Sequence, residues 1–216
     1  MKASIAIVLA VAAGCTAALR AGPARAADED TQFWIYMNSV VPVGDKATAT
    51  LELSPRFREG GDQFLTRGVV DYKLTPHISL GGGAAYVINE EDADEIRTIQ
   101  QLTLTTGSLA FRTRVEERFF EDGDRAQLRL RQRVQLTEPI AKDTRLSVSG
   151  ELLYIARTED HTSDPRVDSW RFATAIQHRF SKRFEGGLGY LLIYAPKEGK
   201  PDKISHVPQL TLTARL

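Results

Sequence analysis

Arginine recurs at every second position in two neighbouring stretches of the chain. Within residues 109–119 and 127–135, the alternating charged side chains are Arg112, Arg114, Glu116, Arg118, Arg129, Arg131 and Arg133. If each stretch is extended, its charged side chains project to one face, because successive residues of a strand point to opposite sides. A row of guanidinium groups matches carboxylate or phosphate anions, so this row is the strongest candidate for chemistry in the sequence.

A hairpin folded about Asp122-Gly123 would bring the two charged faces together. It places Glu116 near Arg129, Arg114 near Arg131 and Arg112 near Arg133. Directly opposed cations destabilise a sheet, so these arginines require carboxylates from other strands, water or a bound anion. Glu52, Asp71 and Glu151 are the candidate carboxylates. Two interpretations stay open: an ion-pair network, or a site or narrow path for a small anion.

A catalytic interpretation rests on one short motif. His161-Thr162-Ser163 resembles the His-x-Ser arrangement of a barrel-type lipid A deacylase, and hydrolases use Ser, His and acid sets. The motif falls between Asp160 and Asp164-Pro165, where polar residues form turns without any catalytic role. We therefore expect no enzyme and keep a membrane-embedded hydrolase of lipid as an alternative.

Other polar and glycine-rich stretches predict neither cofactor nor metal binding. Gly81-Gly82-Gly83 lacks the Lys-Ser/Thr of a phosphate loop and suits a curved strand. His77 and His178 have no partner at metal-ligand spacing. Glu90-Glu91-Asp92, with Asp94 and Glu95, could collect divalent cations, but a solvated acidic loop explains it better, since the ordered spacing of a calcium loop is absent.

Composition excludes several classes of protein. The 216 residues are 42% hydrophobic and 26% charged, with a mean hydropathy of −0.26, which excludes a polytopic helical membrane protein and a disordered chain. The net charge is zero, and without residues 1–26, which hold three bases and no acid, it is −3. A sequence-independent nucleic-acid binder would be basic, so we expect no nucleic-acid partner.

The first 26 residues predict a signal peptide that is cleaved on export. Lys2 precedes the uncharged apolar run Ala3–Leu19, and Ala24-Arg25-Ala26 supplies a small-x-small cleavage site. Cys15, the one cysteine, also allows lipoprotein cleavage as an alternative. The mature body, residues 27–216, is expected to form one domain without disulfides or a membrane-spanning helix.

The body alternates apolar and polar residues with a period of two. This pattern predicts eleven strands of about ten residues each. They are residues 31–41, 48–57, 63–72, 78–88, 97–106, 109–119, 126–136, 146–156, 169–180, 184–194 and 204–216. Their connections alternate between short turns, such as Thr106–Ser108 and Thr137–Thr144, and longer acidic or Gly/Pro-rich loops, such as Asn89–Ile96 and Arg157–Asp168. This order indicates an antiparallel up-and-down meander.

A transmembrane barrel is favoured over a soluble periplasmic β-fold that binds a ligand. On the apolar face, aromatic residues gather near both strand ends, as in the two aromatic girdles of membrane barrels. The residues assigned to that face between the girdles carry no charge. This suits lipid contact, because an arginine at the bilayer midplane costs about 2–4 kcal/mol. The charged face would then line the lumen.

Five stretches in order carry a family resemblance. They are Asp30–Trp34, Arg114–Phe119, Leu128–Arg133, Glu151–Leu153 and Gly189-Tyr190. Together they resemble the bacterial family called domain of unknown function 2490, over essentially the whole mature chain. The resemblance implies an outer-membrane β-barrel and no catalytic residues. One departure bears on insertion: many outer-membrane chains end in an aromatic residue read by the assembly machinery, and this chain ends Ala214-Arg215-Leu216.

The count of eleven conflicts with the even strand numbers of bacterial single-chain barrels. We expect ten to twelve strands, with one segment misplaced or the first segment partly inside the lumen. The prediction is a small, porin-like barrel of the Gram-negative outer membrane, structural or forming a narrow anion-selective pore or binding site. Its expected partners are outer-membrane lipid with lipopolysaccharide, the barrel-assembly machinery and small anions.

Overall fold

A computed structural model describes residues 27–216 as a single twelve-stranded sheet. The predicted signal peptide and Cys15 lie outside the described residues. The strands are β1 (Asp28–Thr31), β2 (Phe33–Val43), β3 (Ala47–Phe57), β4 (Gln63–Lys73), β5 (Ile78–Asn89), β6 (Glu95–Thr106), β7 (Leu109–Phe120), β8 (Gln127–Ala141), β9 (Thr144–Arg157), β10 (Arg166–Arg179), β11 (Phe184–Ala195) and β12 (Lys203–Arg215). Within this part of the chain, no helix is long and apolar enough to cross a bilayer.

The sheet closes on itself through one parallel pairing. Strands β2 to β12 pair antiparallel in chain order, and β12 then pairs parallel with both β1 and β2. Asp28 aligns with Lys203 and Trp34 aligns with Gln209, so β1 and β2 keep one register across the break at Gln32. The Gln32 N–H still donates to the His206 carbonyl at 2.9 Å. β1 and β2 therefore occupy one position, and the described chain forms a closed barrel of eleven strands.

The observed strand count corrects one expectation. No predicted segment was misplaced, and the first one belongs to the wall, because its residues complete the ladder of β12. An odd number of strands can close when the first and last strands run in the same direction. As a result, the wall begins with Asp28 at the rim of the longer loops and ends with Arg215 at the rim of the short turns.

Short and long connections alternate as predicted. The short-turn rim holds residues 44–46, 74–77, 107–108, 142–143 and 180–183, and the long-loop rim holds residues 58–62, 90–94, 121–126, 158–165 and 196–202. The predicted turn Thr137–Thr144 is wrong: β8 continues to Ala141 and pairs with β9 up to the tight turn at Lys142 and Asp143. Asp143 takes φ 58°, a conformation that aspartate tolerates better than most residues.

The orientation of the two faces identifies a transmembrane barrel. Large hydrophobic residues point outward from every part of the wall, among them Leu51, Val70, Leu102, Leu130, Ile176 and Leu188. The predicted aromatic residues lie on this outward face, with Phe57, Tyr86 and Phe119 exposed near the long-loop rim. Charged side chains are enclosed instead, as Arg114 and Glu116 show at 3% and 1% exposure. A soluble fold would bury the apolar face and expose the charged one.

One residue departs from the expected uncharged outer face. Glu117 follows the lumenal Glu116 and so points outward, where its carboxylate accepts a hydrogen bond from the Thr98 hydroxyl at 2.9 Å. The prediction of an uncharged outward face between the aromatic girdles is therefore wrong at this position.

The lumen is filled by two kinds of packing. On one side, Trp34, Leu191, Ile193 and Val207 form a buried apolar cluster where β12 meets β2 and β11. The facing wall, from β6 to β9, carries the arginines and their carboxylates. Inward glycines make room between the two: a β carbon at Gly81 would lie 2.2 Å from the Asp71 Oδ1. A barrel of this size is thus a packed structure more than an open channel.

Candidate functional site

The hairpin of β7 and β8 has the predicted register. Glu116 is opposite Arg129, Arg114 is opposite Arg131, and Arg112 is opposite Arg133, with residues 121–126 as the connecting loop. All of the predicted ladder residues point into the lumen, since they alternate with the outward Phe111, Val115 and Leu130. The sheet therefore brings cation beside cation.

Glu116 is the principal counter-ion of the ladder. Its Oε2 accepts a bond from Arg129 Nη2 at 2.6 Å, and its Oε1 accepts one from Arg131 Nη1 at 2.8 Å. Arg114 Nη1 lies 3.6 Å from the same carboxylate. One side chain at 1% exposure thus neutralises part of the charge of three arginines.

Glu151 on β9 is the second counter-ion. Arg131 Nη2 donates to its Oε2 at 2.7 Å, and Arg112 Nη2 donates to its Oε1 at 2.9 Å. Arg131 is therefore held between two carboxylates, Glu116 and Glu151. A buried cation in this position is fixed by charge-assisted hydrogen bonds on both sides.

The other two predicted carboxylates serve different partners. Glu52 forms an ion pair with Arg67 on the adjacent strand β4 and does not reach the ladder. Asp71 acts through an amide: it accepts a bond from Gln101 Nε2 at 2.7 Å, and Gln101 Oε1 in turn accepts Arg114 Nη2 at 2.6 Å. Asp71 thus supports Arg114 through Gln101.

Arg118 pairs with a carboxylate that was expected elsewhere. Its Nε donates to Glu95 Oε2 at 2.7 Å, and Arg97 pairs with the same glutamate. Glu95 was predicted to lie in the acidic loop before a strand that began at residue 97, but β6 begins at Glu95. The alternation of Glu95, Arg97 and Ile99 was the signal that could have extended the strand.

Arg133 is the ladder arginine without a carboxylate. Among the described residues, its guanidinium donates to the side chains of Gln135 and Ser149, the latter at 3.3 Å. Arg112, Arg114, Arg118, Arg129 and Arg131 each lie within salt-bridge distance of a glutamate. The ladder is therefore largely an internal ion-pair network, with one cation left over.

Two further arginines without a carboxylate partner among the described residues lie outside the ladder. The guanidinium carbon of Arg56 lies 4.1 Å from the centre of the Trp34 ring, and that of Arg171 lies 5.8 Å from it. Among the described residues, neither has a carboxylate within salt-bridge distance, and Arg56 Nη1 donates to Gln63 Oε1 at 2.8 Å. The Nε atoms of both arginines are buried without an acceptor. We call Arg56, Trp34 and Arg171 the tryptophan site.

A chain of hydrogen bonds along the closing seam positions the Trp34 ring. The indole Nε1 donates to Gln32 Oε1 at 2.9 Å, and Gln32 Nε2 donates to Asp30 Oδ2 at 3.0 Å. Lys203 Nζ on β12 lies 3.0 Å from the same Asp30 oxygen. Sequence reasoning missed the tryptophan site because Arg56 and Arg171 come from strands far apart in the chain, which meet only when the barrel closes.

The loop with the His-x-Ser motif is organised by an aspartate. The Ser163 hydroxyl donates to Asp160 Oδ2 at 2.8 Å, and the backbone N–H groups of Thr162 and Ser163 donate to Asp160 Oδ1. These bonds hold the pKa of Asp160 well below its ordinary value. His161 Nδ1 lies 3.3 Å from Arg125 Nη1, and the serine hydroxyl is engaged with Asp160.

Comparison with known proteins identifies a family without an assigned activity. The family model described as protein of unknown function DUF2490 matches residues 31–203. An uncharacterized protein of Methylorubrum extorquens is 26% identical, and the alignment covers 96% of this chain and 97% of that protein. These matches confirm the resemblance noted in the sequence.

Two solved structures are also similar to this chain. They are OmpT, an outer membrane protein of Vibrio cholerae, and its loop L8 deletion mutant, both with 12% sequence identity and a TM-score of 0.41. The matches cover 70% and 69% of this chain, and 55% and 57% of those chains, respectively. This chain therefore spans just over half the length of either OmpT structure.

Proposed function

The chain belongs to the family described as protein of unknown function DUF2490, and we propose that it is an outer-membrane barrel whose lumen binds and selects small anions. The binding group is the tryptophan site, with Arg133 as an additional cation. The ladder itself supplies the ion-pair network that fills the lumen and excludes larger solutes.

The absence of counter-ions at the tryptophan site is the observation that carries the proposal. Two guanidiniums lie against one indole, and their buried Nε donors have no acceptor among the described residues. Buried donors of this kind are costly to leave unpaired. A carboxylate or phosphate has several acceptor oxygens and the opposite charge, so it is a suitable partner for the free donors of these arginines.

The charge of the two rims supports a direction of approach. The connections of the long-loop rim contain 14 Asp or Glu residues and 4 Lys or Arg residues. Those of the short-turn rim contain 2 and 4, respectively. An acidic mouth repels anions, whereas a basic one concentrates them. Trp34 and Arg56 lie near the long-loop ends of β2 and β3. We therefore propose that the anion enters at the short-turn rim and crosses the lumen to the tryptophan site.

The apolar outward face supports a proposal for the membrane in which the barrel lies. Its apolar surface would contact outer-membrane lipid, including lipopolysaccharide, in a Gram-negative host, after insertion by the barrel-assembly machinery. In such membranes short turns face the periplasm, so the basic rim would open there. We propose no catalytic activity, because the contacts of Asp160 and Ser163 support a turn in the loop that carries His161.

Conductance in planar bilayers tests the proposal. Across a KCl gradient, the purified barrel should show a small conductance that favours chloride over potassium, and inorganic phosphate should reduce it. The double variant Arg56→Gln/Arg171→Gln should lose most of the chloride preference and the phosphate effect. The matched control is Arg166→Gln, which removes an exposed cation at the long-loop end of β10, away from the proposed entrance.

Two results would contradict the proposed function. One is a barrel that folds but shows neither conductance nor phosphate binding by calorimetry, which would leave a purely structural role. The other is an unchanged anion preference in the double variant, which would place selectivity elsewhere in the lumen.

A further inference from the structure

Polar side chains interrupt the lipid-facing wall on three adjacent strands. Gln100 on β6, Thr113 on β7 and Gln132 on β8 are exposed on the outward face, and Thr98 and Glu117 lie on the same face beside them. We call these five residues the polar patch. The surrounding outward residues, such as Leu102, Phe111 and Leu130, are the apolar ones that lipid contact requires.

The polar patch lies at the depth of the hydrocarbon. Gln100 is the sixth of twelve residues in β6, Thr113 is the fifth of twelve in β7, and Gln132 is the sixth of fifteen in β8. About 9–11 tilted residues cross a bilayer, so residues this close to the strand centres are far from either interface. The hydrocarbon offers them no hydrogen-bond partner.

The hydrogen-bonding capacity of the polar patch is only partly used within one chain. Thr113 Oγ1 donates to Gln132 Oε1 at 2.7 Å, and Thr98 Oγ1 donates to Glu117 Oε2. Neither the NH₂ group of Gln132 nor the amide of Gln100 has a partner among the described residues. Free donors and free acceptors therefore lie side by side in a place where lipid satisfies neither.

We propose that the polar patch is the contact surface for a second copy of this chain. Copies in one membrane are related by an axis along the membrane normal, so each residue meets residues at its own depth. Gln100, Thr113 and Gln132 would then face their counterparts. An amide carries both donor and acceptor, so two glutamines can bond to each other without any change in sequence.

The neighbouring wall is flat enough for a close approach. Gly68 on β4 and Gly82 on β5 lie on the outward face beside the patch, and a β carbon at Gly68 would meet nothing within 4 Å.

The charge of the polar patch argues against a bound lipid headgroup. Its ionisable group is the carboxylate of Glu117, which repels the phosphates of anionic lipids.

Cysteine cross-linking in outer membranes tests this proposal. Gln100→Cys, treated with a short bis-maleimide, should give a product of twice the monomer mass. The control is Leu188→Cys on β11, on the far side of the barrel, where the side chain is 70% exposed at a similar strand position. The wild-type chain, treated in the same way, shows any cross-linking through Cys15, its one cysteine.

A second variant tests the hydrogen bonds themselves. Gln100→Leu/Gln132→Leu replaces the two amides by residues that suit lipid, so the barrel should fold and keep its heat-modifiable gel mobility. Its mass in detergent should fall from a multiple of the chain to one chain. The proposal is overturned if Gln100→Cys stays monomeric, if Leu188→Cys cross-links equally well, if the product has another mass, or if the double variant keeps the wild-type mass.

Discussion

Glu116 lies within salt-bridge distance of three ladder arginines, more than any other carboxylate among the described residues. It is almost fully enclosed and accepts charge-assisted bonds from Arg129 and Arg131, with Arg114 nearby. Removing one partner of a buried ion pair leaves the other as an uncompensated charge, which costs more than the pair contributes. The network is therefore expected to be sensitive to loss of the acid.

Glu116→Gln is predicted to lower the free energy of unfolding by about 3–5 kcal/mol, because three cations lose a shared counter-ion. The measurement is urea unfolding in detergent or lipid vesicles. Glu117→Gln is a matched control, since the adjacent carboxylate points outward and pairs with no arginine among the described residues. Equal destabilisation by both variants would contradict the assignment of the two faces.

The loop between β9 and β10 supplies a pH prediction. Because hydrogen bonds lower the pKa of Asp160, its contribution to loop order is complete above about pH 4, the ordinary range of aspartate, and is lost as the pH falls towards the folded value. Ser163→Ala removes one of the two hydrogen bonds that Ser163 donates to Asp160, because it deletes the hydroxyl donor and keeps the backbone N–H. The carboxyl NMR signal of Asp160 should titrate at a higher pH in this variant, and an unchanged titration would refute the turn.

At the scale of elements, strand β5 leaves room for the hydrogen bond between Asp71 and Gln101, the residue that accepts a bond from Arg114. Gly81 lies between Asp71 on β4 and Gln101 on β6, and its missing side chain leaves space for their hydrogen bond. The sequence suggested a bend in the wall for this glycine. The structure adds a packing reason, because a β carbon there would overlap the Asp71 carboxylate.

Gly81→Ala should therefore break the bond between Asp71 and Gln101 and destabilise the barrel by about 1–3 kcal/mol, the cost of leaving a buried polar group unpaired. Gly82→Ala is the control on the outward face, where the nearest atom to a new β carbon is the Ile99 carbonyl at 3.7 Å. Unfolding in urea should separate the two variants, and equal stability would refute the packing reason.

The period-two pattern was sufficient to predict the strands and the hairpin register, because each strand is in contact with lipid on one side and the lumen on the other. The end of β8 was missed because Glu138 and Pro139 resemble a turn, although they continue the ladder with β9. Glu95 was missed for the same reason at the start of β6. Long-range partners such as Arg56 and Arg171 depend on closure, which local alternation does not encode.

At the scale of the whole molecule, the odd strand count separates the two ends of the wall. Asp28 lies at the long-loop rim and Arg215 at the short-turn rim. The parallel pairing that joins β12 to β1 and β2 makes this arrangement possible. An even antiparallel barrel would place both ends at one rim.

An epitope inserted directly before Asp28 should therefore bind antibody on intact cells, if the long loops face outward as in other outer-membrane barrels. An epitope after Leu216 should bind only after the outer membrane is permeabilised. Detection of both epitopes on the same side of the membrane would contradict the eleven-strand closure.

Spin labels along the wall give the most direct test of the central claim, that the apolar face meets lipid while the guanidiniums are enclosed. Single cysteines at Met37, Ile176 and Leu188, which are exposed on strands away from the polar patch, should be highly accessible to dissolved oxygen and protected from a water-soluble nickel chelate, whereas one at Asp122 in the loop should show the reverse. Nickel accessibility at the three wall positions equal to that at Asp122 would contradict the account.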